Sequence, residues 1–217
     1  EITYGDWSSD VCSSDLVLSV KPQTMAEALE PVRRGITSKT RVISIAAGIS
    51  INFIQECLGK DVRVVRVMPN TPAMVNAGAA GIALSENCTD ADAHAARAIF
   101  EAVGIVEMVP ESLIDAVTAL SGSGPAYFFY TTECLTEAAK AHGLNEEQAA
   151  NLAAQTLYGA GRLLTESGEP ASVLRERVTS KGGTTAAALE AFKAGGLDRV
   201  LASGVAAAAA RSKELGK

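Results

Sequence analysis

The chain has 217 residues, of which 47% are hydrophobic and 20% charged, with a formal net charge of −6. An acidic balance without any basic run of five or more residues disfavours phosphate backbones and anionic lipids, so neither nucleic-acid nor membrane-surface binding is expected. The longest apolar stretch near the end, Leu201–Ala210, is broken by Ser203 and Gly204 and falls short of the roughly 20 apolar residues that a bilayer requires.

Aromatic residues make up only 5% of the chain, which points to a core of Ala, Val, Leu and Ile and to closely apposed helices rather than a β-sandwich. Cys12, Cys57, Cys88 and Cys134 form no CxxC pair, and only His94 and His142 could join them. Neither a zinc cluster nor a disulfide framework is therefore expected. The first residues carry Glu1 and Asp6 instead of a basic leader, and a cytoplasmic protein with reduced thiols is the expectation.

Residues 1–16 contain a near-duplicate, Ser-Ser-Asp-Val at 8–11 and Ser-Ser-Asp-Leu at 13–16, with no helix or strand period. This segment is read as foreign to the gene or irregular. From Val17 the pattern becomes orderly. Val17–Val20 reads as a buried strand ending at Lys21-Pro22, and Thr24 with Glu27 forms a capping pair for a helix over 25–36. A second strand is expected over 41–46, a short helix over 50–58 and a third strand over 62–67, stopped by Pro69-Asn70-Thr71-Pro72. Two more strands are expected at 79–84 and 105–109, separated by a helix that Thr89 opens with Asp92 at its third position.

Strands alternating with helices indicate an α/β region with a largely parallel sheet. Beyond Pro110 the strand signal is lost, and helical pattern runs over 125–141, 145–167, 185–194 and 197–215. Asn145 with Gln148 is a capping pair, and His142 before Gly143 and His94 on a polar face have ordinary structural explanations. The expected organisation is a partial Rossmann-type α/β domain over 17–111 and an all-α domain over 112–217. Helices rich in Ala and Gly that bury their faces poorly alone suit a dimer interface, with a self-contained bundle as the other reading.

In an open parallel sheet, ligands lie beyond the carboxyl ends of the strands. Three loops fall there: Lys21-Pro22-Gln23, Ala46-Ala47-Gly48 and Pro69-Asn70-Thr71-Pro72. Each alone is ordinary turn chemistry; together they favour a dinucleotide site. A second constellation, Thr179-Ser180-Lys181-Gly182-Gly183-Thr184-Thr185, precedes a helix. Free N–H groups at a helix start attract anions, and paired glycines allow close approach, although a plain helix start reads the same way. Ser121-Gly122-Ser123-Gly124-Pro125 suits either the start of a helix or the close-packed wall of a pocket. No Ser-His-Asp set, HExxH or P-loop is present, which leaves a reaction whose hard step a cofactor carries.

The order of VKPQ at 20–23, AAGIS at 46–50, RVMPNTP at 66–72, DAVTALSGSGPAY at 115–127 and VTSKGGTT at 178–185 resembles pyrroline-5-carboxylate reductase from Val17 onward. That resemblance implies a Rossmann-type domain, a helical domain that interlocks into homodimers and can assemble into decamers, and reduction of 1-pyrroline-5-carboxylate to L-proline with NADPH or NADH. It implies cofactor contacts from Ser19, Val20, Lys21 and Pro22, from Ile45, Ala46 and Ala47, and from Asn70 and Thr71. Ser180, Gly183, Thr184 and Thr185 would hold the substrate carboxylate, Thr185 and Ser180 would serve the catalytic step, and Glu111 would contribute to the substrate pocket. No metal is implied. Ser19 replaces a common alanine, and Lys181 stands where some relatives have proline. The family's opening G-x-G-x-x-G loop does not occur among these 217 residues, which bears on cofactor affinity and on the activity of this chain. Other Rossmann-plus-helical dehydrogenases and a noncatalytic assembly module are the alternatives.

Overall fold

The computed structural model describes residues 15–216, so the expectation for residues 1–14 lies outside the described residues. Two compact units emerge: residues 15–123 together with 206–216, and residues 124–205. The expected boundary at 111–112 marks the end of the strands, but residues 112–123 pack with the sheet unit.

The sheet unit runs β1 (Asp15–Leu18), α1 (Met25–Val32), β2 (Arg41–Ser44), α2 (Ile51–Leu58), β3 (Arg63–Met68), β4 (Gly78–Leu84), α3 (Asp90–Glu101), β5 (Gly104–Met108) and α4 (Ile114–Val117). Strand β1 begins at Asp15, which pairs with Arg41 both in register and through an ion pair of 3.0 Å. An apolar run cannot reveal that pairing, so the strand lies two residues ahead of its expected place. Helix α1 is likewise shorter than expected. Thr24 ends a 3₁₀ turn over Pro22–Thr24, and its hydroxyl donates to Lys21 O at 3.0 Å instead of capping the helix. Pro31 lies inside α1 and supplies no N–H, and the chain tightens to 3₁₀ over Arg33–Gly35.

The sheet order is β1-β2-β3-β4-β5, with β3 and β4 antiparallel and the other neighbours parallel. The sheet is thus mixed. The Pro69–Ala77 connection, a 3₁₀ turn over Thr71–Val75 closed by Asn76 at φ 56°, is too short for a crossover, which needs a dozen or more residues. Val42 and Val64 face α1 and α2 in one core, together with Met25, Leu29 and Ile54. Ile43, Val65, Val67 and Ile82 face the other side, where Ala96 of α3 covers them. Alternation along β2 and β3 thus feeds two apolar layers, as a sheet covered on both faces requires.

Residues 111–122 lie on β4. Gly81 permits this approach, since a Cβ there would stand 2.7 Å from Val117 Cγ1. Thr118–Gly122 forms a π turn closed by Ser123 N–H to Thr118 O at 2.8 Å.

The second unit contains α5 (Gly124–Ala141), α6 (Glu146–Ser167), α7 (Ala171–Arg177), α8 (Thr184–Ala194) and the first part of α9 (Leu197–Leu215). Asn145 and Gln148 form the expected capping box, with bonds of 2.9 and 3.1 Å. Helix α7 is absent from the sequence expectation because seven residues are too few to display a period. Helices α5 and α6 pack together, and between them runs an apolar groove of about 320 Å³ that includes Phe128, Leu135 and Leu152.

Candidate active site

Because β1, β2 and β3 are parallel neighbours, their carboxyl ends share one edge, and the three loops expected to form a dinucleotide site follow them. Ser19 and Lys21 are exposed and Val20 is half-buried, packed against the core. Pro22 opens the 3₁₀ turn. Ile45 donates its N–H to Leu18 O at 3.1 Å and so ties the second loop to the first. Ala46 is buried and Ala47 half-buried, and neither carries a side chain beyond Cβ, so backbone is what this edge presents. Small residues and backbone groups at the carboxyl edge suit the flat nicotinamide end of a dinucleotide.

Asn70 bridges two neighbours with its side-chain amide. Its Nδ2 donates to Ser121 O at 3.0 Å, and its Oδ1 accepts from Ala79 N–H at 2.9 Å. The amide therefore shapes the loop and fastens it to the π turn, while Thr71 beside it is exposed. In the SGSGP motif, Ser121 donates to Val117 O at 3.1 Å, which makes the motif a packed lead-in to α5.

Glu111 stands at the start of α2. Its Oε1 accepts from Ile51 N–H at 2.8 Å and from Arg66 Nη1 at 2.9 Å. A carboxylate at a helix N-terminus is favourable, since it meets unsatisfied N–H groups and the positive end of the dipole. Arg66, a buried residue of β3, is absent from the sequence-based set. A guanidinium inside the run Val-Val-Arg-Val-Met was the available signal, because a charge in a covered strand needs a buried partner.

In the helical unit, the Ser180–Gly183 turn closes with Gly183 N–H to Ser180 O at 3.0 Å. Gly183 is the N-cap of α8 and no side chain caps that helix. A Cβ at Gly183 would collide with Ser180 Oγ, so the hydroxyl sits against the glycine at the helix mouth. The structure therefore brings Ser180, Gly183, Thr184 and Thr185 to one helix start, where the Gly183 N–H is taken by Ser180 and the first-turn N–H groups after it have no intrahelical acceptor, the arrangement an anion can use.

A second charged cluster occupies the amino ends of β2 and β3. The fully buried Asp92 takes Arg41 Nε at 2.7 Å and Arg63 Nη1 at 2.9 and 3.0 Å, and it accepts both the N–H and the hydroxyl of Thr89 at 2.8 Å. Burial alone would raise its pKa, but the Thr89 bonds and the two guanidinium groups outweigh it and hold the carboxyl at about 2. This cluster ties α3 to the sheet at the amino ends of the parallel strands, opposite to where such a fold binds ligands. Burial pushes the thiols of Cys57 and Cys88 up, away from nucleophilic thiolate character. Among the described residues, no three His, Cys, Asp or Glu side chains come together to hold a metal ion, and no helix is long and apolar enough to cross a membrane.

A family model for pyrroline-5-carboxylate reductase dimerisation matches residues 111–215. A pyrroline-5-carboxylate reductase of Methanosarcina acetivorans is 44% identical over 205 residues, covering 94% of this chain and 76% of the relative. The structure of a pyrroline-5-carboxylate reductase from Coxiella burnetii superposes with a TM-score of 0.89 at 41% identity, covering 94% of this chain and 76% of that one. The Plasmodium falciparum pyrroline carboxylate reductase with NADP bound gives a TM-score of 0.85 at 32% identity, covering 95% of this chain and 78% of that one. Similarity of this extent, running through both the sheet unit and the helices, means that the chain belongs to the pyrroline-5-carboxylate reductase family.

Proposed function

We propose that this protein reduces 1-pyrroline-5-carboxylate to L-proline with NADPH or NADH, as the last step of proline biosynthesis. The observation that carries the reading is the set of loops along the carboxyl edge of β1–β3 in a chain 44% identical to a reductase of that name. Ser19, Val20, Lys21 and Pro22, with Ile45, Ala46 and Ala47, line the cofactor through backbone and small side chains, and Asn70 and Thr71 complete that edge. When bound, the nicotinamide supplies a hydride to the imine carbon. The substrate carboxylate is held by the amides of Thr184 and Thr185 and by the Ser180 hydroxyl, with Gly183 letting it come close to the backbone. Holding it fixes which face of the ring is presented, and orientation of this kind contributes several kcal/mol to lowering a barrier. The Thr185 hydroxyl, with Ser180 beside the same turn, relays a proton from water to the ring nitrogen, taking one proton as it gives one. Nitrogen thereby gains one proton as carbon gains the hydride, and the C=N bond becomes a single bond.

Glu111 serves the substrate pocket by holding the start of α2. Cofactor binding belongs to the strand-bearing residues 17–111 and substrate binding and dimerisation to the helices of 112–217, of which 112–123 and 206–216 pack with the sheet unit. The protein acts in the cytoplasm as a homodimer that can assemble further into a decamer, without nucleic-acid or membrane partners. The test is oxidation of NADPH or NADH by the purified chain in the presence of 1-pyrroline-5-carboxylate. Thr185→Ala should lower turnover by about 100-fold, the size of a lost general-acid contribution, with the cofactor KM unchanged. Unaltered kinetics would remove Thr185 from the mechanism, and a folded chain that neither binds nor oxidises the cofactor would favour the assembly module.

A further inference from the structure

The loop after β2 is gripped from two sides by residues far away in sequence. At its far end, Ile51 N–H is fixed by Glu111 at 2.8 Å. In its middle, Gly48 adopts φ +78°, and a Cβ there would stand 3.1 Å from the C, Cβ and O atoms of Leu215. The contact is reciprocal, because a Cβ on Gly216 would stand 2.7 Å from Gly48 O. Gly48 is thus a glycine for two reasons, a left-handed backbone and the final turn of α9 lying against it. That turn is anchored independently. Ser212, only 5% exposed, donates its hydroxyl to Asp115 Oδ1 at 2.6 Å, and Asp115 lies in α4. Residues 206–216 belong to the sheet unit although the rest of α9 belongs to the helical one.

We propose that the last turn of α9 positions the Ala46–Ser50 loop: Leu215 and Gly216 set the path of Gly48, and the Ser212–Asp115 hydrogen bond holds them in place. The consequence for cofactor binding rests on the reading above that Ile45–Ala47 line the nicotinamide. A loop fastened at Leu18, at Glu111 and at Leu215 is pre-organised, which lowers the ordering cost that binding otherwise incurs. Ser212, Asp115 and Leu215 are positioning residues, and none is needed to touch cofactor or substrate.

The experiment compares the full chain with a chain ending at Arg211 and with the Asp115→Ala and Asp115→Asn variants. Amide hydrogen exchange is followed in peptides covering 45–53 and, as an internal reference, 63–68. Loss of the anchor should accelerate exchange in 45–53 by about 10-fold while 63–68 is unchanged, as expected for local rather than global opening. Asp115→Asn keeps an acceptor oxygen for Ser212 and should behave as the parent. NADPH titration of the same proteins should show Kd raised about 5-fold by truncation and by Asp115→Ala, a loss of about 1 kcal/mol. Unchanged exchange in 45–53 for both the truncated chain and Asp115→Ala overturns the positioning role. Faster exchange with an unaltered NADPH Kd overturns its link to the cofactor. If the full chain itself binds no NADPH, the cofactor reading fails, and the exchange result alone still decides whether the turn positions the loop.

Discussion

In the sheet unit Met25, Ile54, Val64 and Ile82 are inaccessible to solvent, whereas in the helical unit Phe128, Phe129 and Tyr130 remain 59%, 60% and 68% exposed. Both units are rich in aliphatic residues, so composition does not separate them. A sheet offers two faces, and α1 and α2 cover one while α3 covers the other within the same chain. The α5–α6 pair covers only the faces turned toward each other, and among the described residues of that unit only Thr136 and Ala149, apart from glycines, are buried. An apolar surface of that extent on a folded unit marks an interaction site. The first unit buries an apolar layer on each face of its sheet, whereas the second leaves its apolar faces to another copy.

That contrast can be broken from the sheet side first. Asp92→Ala takes the buried carboxylate away from the half-buried Arg41 and Arg63, leaving Arg41 only its bond to Asp15, and should cost about 3 kcal/mol. Urea unfolding should show the loss, with amide exchange placing it in β2, β3 and α3; a loss below 1 kcal/mol would mean that the cluster relaxes into water. The helical side is tested by Leu152→Asp, which places a charge in the α5–α6 groove. Sedimentation should show the dimer Kd raised by about 100-fold or more, equivalent to about 2.7 kcal/mol, with exchange in the sheet unit unaltered. A dimer that survives would show that the groove is not the covered face. The smallest effect comes from acid. The Asp92 pKa is lowered to about 2 in the folded chain from about 3.9 when unfolded, so its contribution is complete above the unfolded value and is lost as pH falls through the folded one. The stability difference between wild type and Asp92→Asn should therefore shrink by about 2 kcal/mol between pH ~5 and ~1. A difference independent of pH would contradict the lowered pKa.

Much of the sheet unit was legible because its signals are local. Runs of β-branched residues marked β2 and β3, Ser50 marked α2, and the Thr89–Asp92 box marked α3 with both of its hydrogen bonds. The helix start at SKGGTT was also legible, though α8 begins at Thr184, one residue early. Pro31, lying in open view in the sequence, was the reason for the early end of α1, and the expectation there passed over it. Asn70 was visible as a loop residue, but its grip on Ala79 and Ser121 was not, since both partners depend on how β4 and the π turn pack.

By itself the sequence determined the element types, the two-part division into strands followed by helices, and the motif order that places the chain in its family. These follow from periodicity, capping and turn chemistry, which act over a few residues. Only the tertiary structure decided that β4 reverses direction, that Glu111 holds the start of α2 beside Arg66, and that the last turn of α9 returns to Gly48. Each of those joins residues that lie far apart along the chain or depends on the path of a connecting loop, and such pairings are set by packing rather than by local preference.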